Sequence, residues 1–383
     1  ITARGCTLTI AGQHAFASLA LENGAVLTHP PCTTVAVFSL DLTVSGAVTI
    51  DATSRIDVSG RGYLRRRTVG NTADGAASGH SGGSHGGRGL RDGRGDTNAT
   101  YGDFRDPIFP GAGGGNDDTG GAGGGVVRLQ AGTIHLEGAI RANGSGPAGN
   151  DRAGGAGGSI RIDTDTITGA GAVSAHGGPG TWGAGAGGGG RIAIYYSDAA
   201  DYDLDANVGA HAGRNDSNVA GAVGTVYLQP TGGPGVLRLV SHGALTGEWT
   251  PLGLPDDTAV TVDRLVIAGA GVCAAPEHEM PLSTDCLSLL EGAWLTHRPT
   301  TADAVFTLAV SATDSLTVDA TSRIDVSGRG YLPNRTAGNT ADGAASGHSG
   351  GSHGGRGLRD GRGDINATYG DFRDPIFPGA GGG

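Results

Sequence analysis

Short stretches of alternating apolar and polar residues recur along the chain, and each is followed by a glycine-rich stretch. The clearest are VVRL, SIRI, RIAI and TVYL, in which Val, Ile or Leu returns at every second position. A period of two indicates β-strands with one buried face, and helical periodicity is almost absent. The pattern predicts an all-β protein.

Equivalent apolar positions recur at intervals of about 33 residues, a period typical of stacked repeats. Two sets share this spacing: Val127, Ile160, Ile192 and Val226, and Leu129, Ile162, Ile194 and Leu228. One coil of this length cannot bury its apolar residues alone, so we expect stacked coils about 4.8 Å apart, with equivalent residues in columns. The spacing therefore predicts a parallel β-solenoid (β-helix).

A second repeat, which we call the long repeat, is nearly identical in its two copies. The letters DATSRIDVSGRGYL begin at Asp51 and again at Asp319, an offset of 268 in the numbering. From there the copies run without a gap to Gly115 and Gly383 and differ at only four positions. Such near-identity is typical of large fibrous or surface proteins, and it predicts that this chain is part of a longer tandem array.

The two repeats divide the chain into six predicted segments. In order, these are β-solenoid strands of unit 1 (1–60), an insertion rich in Gly, Arg, Asp and His (61–125), glycine-rich solenoid coils (126–230), a connecting segment (231–262), β-solenoid strands of unit 2 (263–328) and a second copy of the insertion (329–383). The insertion is expected to form a fixed excursion with an apolar cluster of Tyr101, Phe104, Ile108 and Phe109.

Glycine accounts for 76 of the 383 residues, and its tracts allow two interpretations. Tracts such as AGGAGG either form flexible loops or stack as polyglycine-II-like excursions that hydrogen-bond to their neighbours. Because ordering glycine costs much conformational entropy, ordered packing requires such regular stacking.

One family resemblance follows from these motifs. The succession GGSHGG, YGDFRDP and PGAGGG, followed by GGSIRI, GGGGRIAIYYSD and VGTVYLQP, resembles the glycine-rich tandem-repeat regions of large bacterial surface or secreted proteins. It covers residues 48–230 and 316–383. The resemblance implies a β-helical, adhesin-like protein and implies no catalytic residue.

Charge and cysteine content narrow the function classes. All 26 basic residues are arginine and the formal net charge is −11, which argues against a nucleic-acid partner. No apolar run approaches the roughly 20 residues of a membrane span. The four cysteines, Cys6, Cys32, Cys273 and Cys286, predict two disulfides between sequence neighbours or, alternatively, four unpaired core residues. Disulfides would indicate an extracellular or cell-surface protein.

The pattern G-x-S-x-G, typical of a hydrolase nucleophile elbow, occurs at residues 79–83 and again at 347–351. An elbow requires a strand before the serine and a helix after it, and neither is predicted here. A triad of Ser81, His85 and Asp92 is therefore not expected. The sequence assigns no catalytic residue and no cofactor.

Three weaker motifs lie in expected loops. Candidate calcium ligands are Asp103, Asp106, Asp371 and Asp374, although loop carboxylates paired with Arg88, Arg91 and Arg94 are the favoured interpretation. An RGD triplet occurs at 94–96 and 362–364. Candidate glycosylation sites are Asn98, Asn143, Asn215, Asn334 and Asn366.

These features predict a non-enzymatic, extracellular structural protein whose partner is further copies of itself. It would be a tandem-repeat building block of a fibril or cell-surface stalk. One alternative is an adhesin that binds sugars or cells through the insertion 61–125. A carbohydrate-active β-helix enzyme is disfavoured, because charged residues are sparse on the strand faces and no paired carboxylates occur there.

Overall fold

The computed structural model describes residues 1–115, 119–147, 149, 152–241, 243 and 245–383. They form 22 strands, a single-turn helix α1 (Leu204–Asn207) and a short 3-10 helix (Val69–Asn71). The predicted all-β class is confirmed. Within the described ranges, no helix has the length and apolar character needed to cross a membrane.

The strands, in chain order, are β1 (Thr2–Arg4), β2 (Thr7–Thr9), β3 (Gly12–Phe16), β4 (Leu19–Glu22), β5 (Val26–Thr28), β6 (Leu40–Ile50), β7 (Arg55–Asp57), β8 (Val126–Leu136), β9 (Ala139–Arg141), β10 (Ser159–Thr168), β11 (Ala172–Ser174), β12 (Arg191–Asp198), β13 (Val208–Gly209), β14 (Thr225–Pro230), β15 (Val236–Val240), β16 (Trp249–Leu252), β17 (Val260–Ala268), β18 (Cys273–Pro276), β19 (Leu282–Leu290), β20 (Trp294–Leu295), β21 (Val310–Val318) and β22 (Arg323–Ile324).

Three sheets contain these strands. The long sheet has 12 strands in the order β1-β4-β6-β8-β10-β12-β14-β15-β17-β19-β21, with β3 also paired to β6. A six-stranded sheet has the order β13-β11-β9-β7-β5-β2, and a four-stranded sheet has the order β16-β18-β20-β22. Strands β14 and β15 are antiparallel, whereas the other ladders between described strands are parallel. The long sheet is therefore mixed, which the repeat pattern did not indicate.

The strand register confirms the columns predicted from the regular spacing of apolar positions. In the long sheet, one column contains Leu40, Val127, Ile160, Ile192 and Val226. The next contains Leu42, Leu129, Ile162, Ile194 and Leu228. All of these side chains are buried, and burying one contributes about 1.5–3 kcal/mol.

Two hydrophobic cores lie on opposite faces of the long sheet. The first core lies between the long sheet and the six-stranded sheet, and it includes Ile192 and Leu228. The second lies between the long sheet and the four-stranded sheet, and it includes Tyr227 and Leu237. Because successive residues of a strand point to opposite faces, β14 contributes to both cores. The core thus changes face where the antiparallel pair β14–β15 interrupts the parallel order.

The segment 231–262 contains more structure than a connection. Strand β15 joins the long sheet, β16 begins the four-stranded sheet, and β17 starts at Val260 within this range. At the nearby end of the first core, Asp203 caps α1 by accepting from the N–H groups of Asp205 and Ala206. Arg238 of β15 binds this helix through the carbonyl of Leu204 and the carboxylate of Asp205.

We predict that the two neighbours Tyr227 and Leu228 stabilise different parts of the chain. Each truncation to alanine removes a large buried side chain and is expected to cost about 3 kcal/mol. Tyr227→Ala should accelerate amide hydrogen exchange in β17 and β19, whereas Leu228→Ala should accelerate it in β10 and β12. Exchange measured by mass spectrometry checks this. Equal effects of both variants on all four strands would contradict two separate cores.

Candidate functional site

Residues 153–158 lie inside a bundle of extended glycine-rich segments. Two series of hydrogen bonds leave this segment at three-residue spacing: from Gly154 and Gly157 to the carbonyls of Gly185 and Gly188, and from Gly155 and Gly158 to those of Ser145 and Ala142. Three residues per turn is the period of the polyproline II helix, whose backbone groups point outward. The hydrogen bonds therefore connect neighbouring segments, as the stacked interpretation of these tracts requires.

The first insertion belongs to this bundle. Gly83 donates to the carbonyl of Gly154, Gly188 donates back to the carbonyl of Gly83, and Ala156 donates to that of Ala112. Residues 81–87 and 110–115 are buried accordingly. The insertion is thus not an excursion into solvent: it fills the space beside the glycine-rich coils.

Close approach of the segments explains why glycine occupies these positions. A Cβ atom placed on Gly157 would lie 2.0 Å from the carbonyl oxygen of Ala175, and one placed on Gly86 would lie 2.2 Å from that of Gly190. These distances are far inside van der Waals contact, and the obstructing atoms belong to the backbone. Any side chain there would separate the segments.

The two insertion copies provide a matched test of this packing. Gly86→Ala should lower the free energy of unfolding by about 1–3 kcal/mol, because the methyl group meets the backbone of Gly190. At its repeat counterpart, Gly354, no atom lies within 4 Å of the position that a methyl group would take. Gly354→Ala should therefore be neutral or slightly stabilising. Denaturant titration of both variants checks this, and equal destabilisation would refute the packing argument.

Each insertion copy also has an internal network of its own. The amide of Asn98 donates to the hydroxyl of Thr68 and to the carbonyl of Ser84, and its oxygen accepts from the Ser84 N–H. In the second copy, Asn366 makes the same bonds to Thr336 and Ser352. The insertion therefore adopts the same local structure in both environments.

Arg191 of β12 fastens the first insertion to the long sheet. Its guanidinium is buried and donates to the carbonyl of Tyr101 and to the hydroxyl of Thr225. Burial lowers the pKa of Arg191 to about 10, and the neighbouring Asp103 and Tyr101 oppose this shift. The aromatic cluster predicted here is partly confirmed, because Tyr101 and Phe109 pack together with Tyr63.

Phe104 departs from that predicted cluster and closes the second core instead. It packs edge-on against Tyr227 with ring centroids 5.4 Å apart, while the Arg105 guanidinium lies 4.3 Å from the centre of the Phe104 ring. Arg105 also donates to the carbonyl of Thr261 in β17. The insertion of unit 1 is thus part of the packing of unit 2.

A second contact joins the insertion to the segment 231–262, which leads into unit 2, and it involves Arg88 and Leu90. The Arg88 guanidinium lies 5.0 Å from the ring centre of Trp249 and 3.8 Å from the carboxylate of Glu248. The buried side chain of Leu90 lies beside the same segment, because a Cβ atom placed on Gly247 would be 3.2 Å from the Cδ1 atom of Leu90. We name Arg88, Leu90 and Phe104 the cap surface of the first insertion.

The corresponding cap surface of the second insertion, Arg356, Leu358 and Phe372, is uncovered. Leu358 is 86% exposed where Leu90 is 9% exposed, and Phe372 is 83% exposed where Phe104 is 8% exposed. Arg373 still lies over the Phe372 ring, at 4.6 Å, as Arg105 does over Phe104. Identical sequence thus presents the same surface, once buried and once open.

The nucleophile-elbow residues do not assemble a triad. The hydroxyl of Ser81 donates to the carbonyl of Gly95 and accepts from the N–H of Asp92. The ring of His85 is bonded through Nδ1 to the carbonyl of Gly157, and burial together with Arg191 lowers its pKa to about 3. The carboxylate of Asp92 is paired with Arg94. These three side chains therefore serve the local packing.

Three of the four carboxylates considered for calcium have other partners. Asp106 forms ion pairs with Arg128 and Arg161 at 2.7 and 2.8 Å. Burial tends to raise the pKa of Asp106, but the hydrogen bonds and charges of these two arginines lower it below its usual value. Asp103 and Asp371 each accept the N–H two residues ahead, from Arg105 and Arg373. Asp374 contacts Asp371 through the backbone, since its N–H donates to the carbonyl of Asp371. Across the described ranges, no group of three or more His, Cys, Asp or Glu residues could hold a metal ion.

The RGD triplets hold their charged side chains in local ion pairs. Arg94 pairs with Asp92, and Asp96 pairs with Arg91. In the second copy, Arg362 pairs with Asp360 and Asp364 pairs with Arg359. The triplet thus belongs to a turn whose charges are already matched.

All four cysteines are free, so the predicted disulfides Cys6–Cys32 and Cys273–Cys286 are not formed in the structure. Cys273 begins a strand of the four-stranded sheet, whereas Cys286 lies in the long sheet. Cys6 is exposed between β1 and β2, whereas Cys32 is buried after β5. Closeness in sequence failed as a guide because each coil carries nearby residues onto different sheets.

We predict that the thiols react in an order set by burial. Burial raises the pKa of Cys32, and it raises that of Cys273 to about 11, so both are poor nucleophiles at neutral pH. Cys6 should react first with a thiol-specific aromatic disulfide reagent, and Cys32 and Cys273 only after unfolding. A count of four thiols in denaturant is expected. A count below four without reductant would indicate a disulfide.

The candidate glycosylation sites differ in accessibility. Asn98 and Asn366 lie in loops, as expected, but both are buried in the networks described above. Asn143 is half-buried and accepts the N–H of His176, and Asn215 is half-buried in a turn. Asn334 is exposed. A sugar on Asn98 or Asn366 would require the insertion to unfold locally.

Comparisons with protein-family models, with curated proteins and with solved structures found no match.

The residues that couple the two units were missed at the sequence level. Arg88 and Leu90 lie in a glycine-rich stretch with no periodicity, and Glu248 and Trp249 lie in the segment predicted as a connection. One available signal was Phe104, an aromatic residue in a chain whose aromatic content is only 5%. Large apolar side chains in such a composition mark positions where burial matters most.

Proposed function

We propose that the chain is an extracellular structural protein, a tandem-repeat building block of a fibril or cell-surface stalk. The observation that carries the proposal is the long sheet, which runs unbroken from β1 in unit 1 to β21 in unit 2. A continuous hydrogen-bonded ladder lets a pulling force pass from one repeat to the next through the backbone. Repeats related by near-identical sequence are suited to extension by further copies.

The proposal includes a solenoid course for the chain. In unit 1 the chain alternates between the long and six-stranded sheets, and equivalent residues such as Ile140, Val173 and Val208 fall into register. In unit 2 it alternates in the same way between the long and four-stranded sheets. We interpret each passage through both sheets as one coil of a β-solenoid, stiffened on its open side by the glycine bundle.

An adhesin that acts through the insertion 61–125 has less support. Much of that insertion is buried against the glycine-rich coils, and its charged turn residues are paired with one another. Residues 81–87 and 110–115 are therefore not free to bind a sugar or a cell, and the turn 91–96 is an exposed part that could do so. No comparable observation favours a carbohydrate-active enzyme.

Imaging of tandem chains tests the structural proposal. Chains with two, three and four copies of the long repeat should appear in electron micrographs as rods whose length rises by a constant increment per copy. Aligned samples should diffract at about 4.8 Å along the rod axis, the spacing between strands. Compact particles that grow in all dimensions with copy number would contradict it. Saturable binding to a glycan array, lost when residues 88–96 are replaced, would favour the adhesin instead.

A further inference from the structure

The exposed cap surface of the second insertion is the strongest unpartnered feature of the molecule. Its apolar members are Leu358 and Phe372, and the neighbouring faces of β21 and β22 expose Leu316, Val318 and Ile324. The residues at the equivalent positions of unit 1, Val48, Ile50 and Ile56, are completely buried. An apolar surface of this kind marks an interaction site.

The first copy shows what such a surface accepts. Strand β8 pairs along β6, the counterpart of β21, and β9 pairs along β7, the counterpart of β22. The glycine segments 121–125, 153–158 and 185–190 then hydrogen-bond to the insertion. Finally, β14, β16 and β17 bring Tyr227, Trp249 and Val260 onto the cap surface.

The charges of the cap surface are matched in the first copy by the segment that covers it. In the first copy, Arg88 faces the carboxylate of Glu248 and the ring of Trp249, and the N–H of Arg91 donates to Glu248 at 3.3 Å. Burial raises the pKa of Glu248, and the two arginines oppose this shift. Arg356 and Arg359 repeat the arginines in the second copy, where both are exposed. They fit a segment that carries Glu and Trp in succession.

We propose that the cap surface of the second insertion binds a further copy of residues 119–262, joined in tandem to that insertion. Each insertion would then close the core of the unit that follows it, as Phe104 does for unit 2. This inference deepens the proposed structural function and rests on its tandem arrangement. It assigns the insertion a role as the coupling element between units, distinct from the strands that form each unit.

The backbone of the second insertion is already arranged for this partner. Its internal hydrogen bonds reproduce those of the first copy, such as Gly350 to Leu358 for Gly82 to Leu90, and Tyr331 to Gly379 for Tyr63 to Gly111. The Asn366 network is also formed, although no glycine-rich coil among the described residues packs on the second insertion. Binding therefore requires little ordering of the receiving surface, which removes one of the main costs of association.

The test compares the 383-residue chain with an extended chain, in which residues 116–268 are appended after Gly383. Amide exchange in β21 and at Leu358 should slow by about 100-fold in the extended chain. Leu358→Asp should leave the unfolding midpoint of the original chain unchanged but lower that of the extended chain by about 5 °C or more. Leu90→Asp is the matched control and should lower the midpoint in both chains.

Several outcomes would overturn the inference. If the appended segment folds while Leu358 and β21 stay as exposed as before, the segment docks elsewhere. If it remains unfolded, the proposal also fails, because the same sequence folds against the same insertion in the first copy. If the original chain dimerises and Leu358→Asp dissolves the dimer, the occupant is a second molecule and not a tandem segment.

Failure of the coupling role can be told apart from failure of the proposed structural function. If extended chains bury Leu358 but form compact particles, the coupling role is supported and the rod-shaped assembly is refuted. Rods whose formation is unaffected by Leu358→Asp and Phe372→Ala would retain the structural function and refute the coupling role. A matched measurement in the first copy would also support the inference. Phe104→Ala should accelerate amide exchange in β17 of the original chain without affecting β8.

Discussion

The structure depends on backbone hydrogen bonds between segments that carry glycine at their points of closest approach. At Gly157 and Gly86, a single methyl group would overlap a neighbouring carbonyl oxygen. Glycine loses more conformational freedom on folding than any other residue, so these segments are stable only as a group. Removing one segment from the bundle leaves unpaired donors on several others, which makes the bundle cooperative.

This cooperativity explains why the insertion and the coils cannot be treated as separate parts. The coils contribute glycine segments that hydrogen-bond to one another, and the insertion contributes further segments that pack beside them. Without the insertion, the carbonyls of Gly154 and Ala186 would lose their donors, Gly83 and Leu90. The same segment that completes the bundle of unit 1 also places Phe104 in the core of unit 2. Local packing and coupling between units therefore share one element.

The columns of Val, Ile and Leu were predictable because strand period and coil length are both visible in the sequence. Ile160 and Ile192 occupy equivalent places in successive coils, and the ladder places them side by side. The change of core face at β14–β15 was not predictable, because Tyr227 and Leu228 are both large and apolar and either could face either core. A sequence with alternating apolar and polar residues reveals one buried face, but a strand buried on both faces gives no alternation to interpret.

The candidate site also has one feature that the sequence predicts and another that it does not. The repeat itself indicated that residues 61–115 and 329–383 share a structure, and their hydrogen bonds agree. Which residues of that structure contact a partner depends on tertiary neighbours far away in sequence, such as Trp249 against Arg88. The cysteine pairs failed for a related reason, since the short stretch of chain between Cys273 and Cys286 carries them onto different sheets. Proximity along the chain is a poor guide where every turn of the chain changes layer.

The reversal of direction between β14 and β15 has a mechanical consequence. Around these strands the first core lies on one face of the long sheet and the second core lies on the other, so three sheets overlap at the junction between units. A slab resists bending steeply with its thickness, so we expect this overlap of three sheets to stiffen the junction. Under load, the joint between the units would then resist hinging.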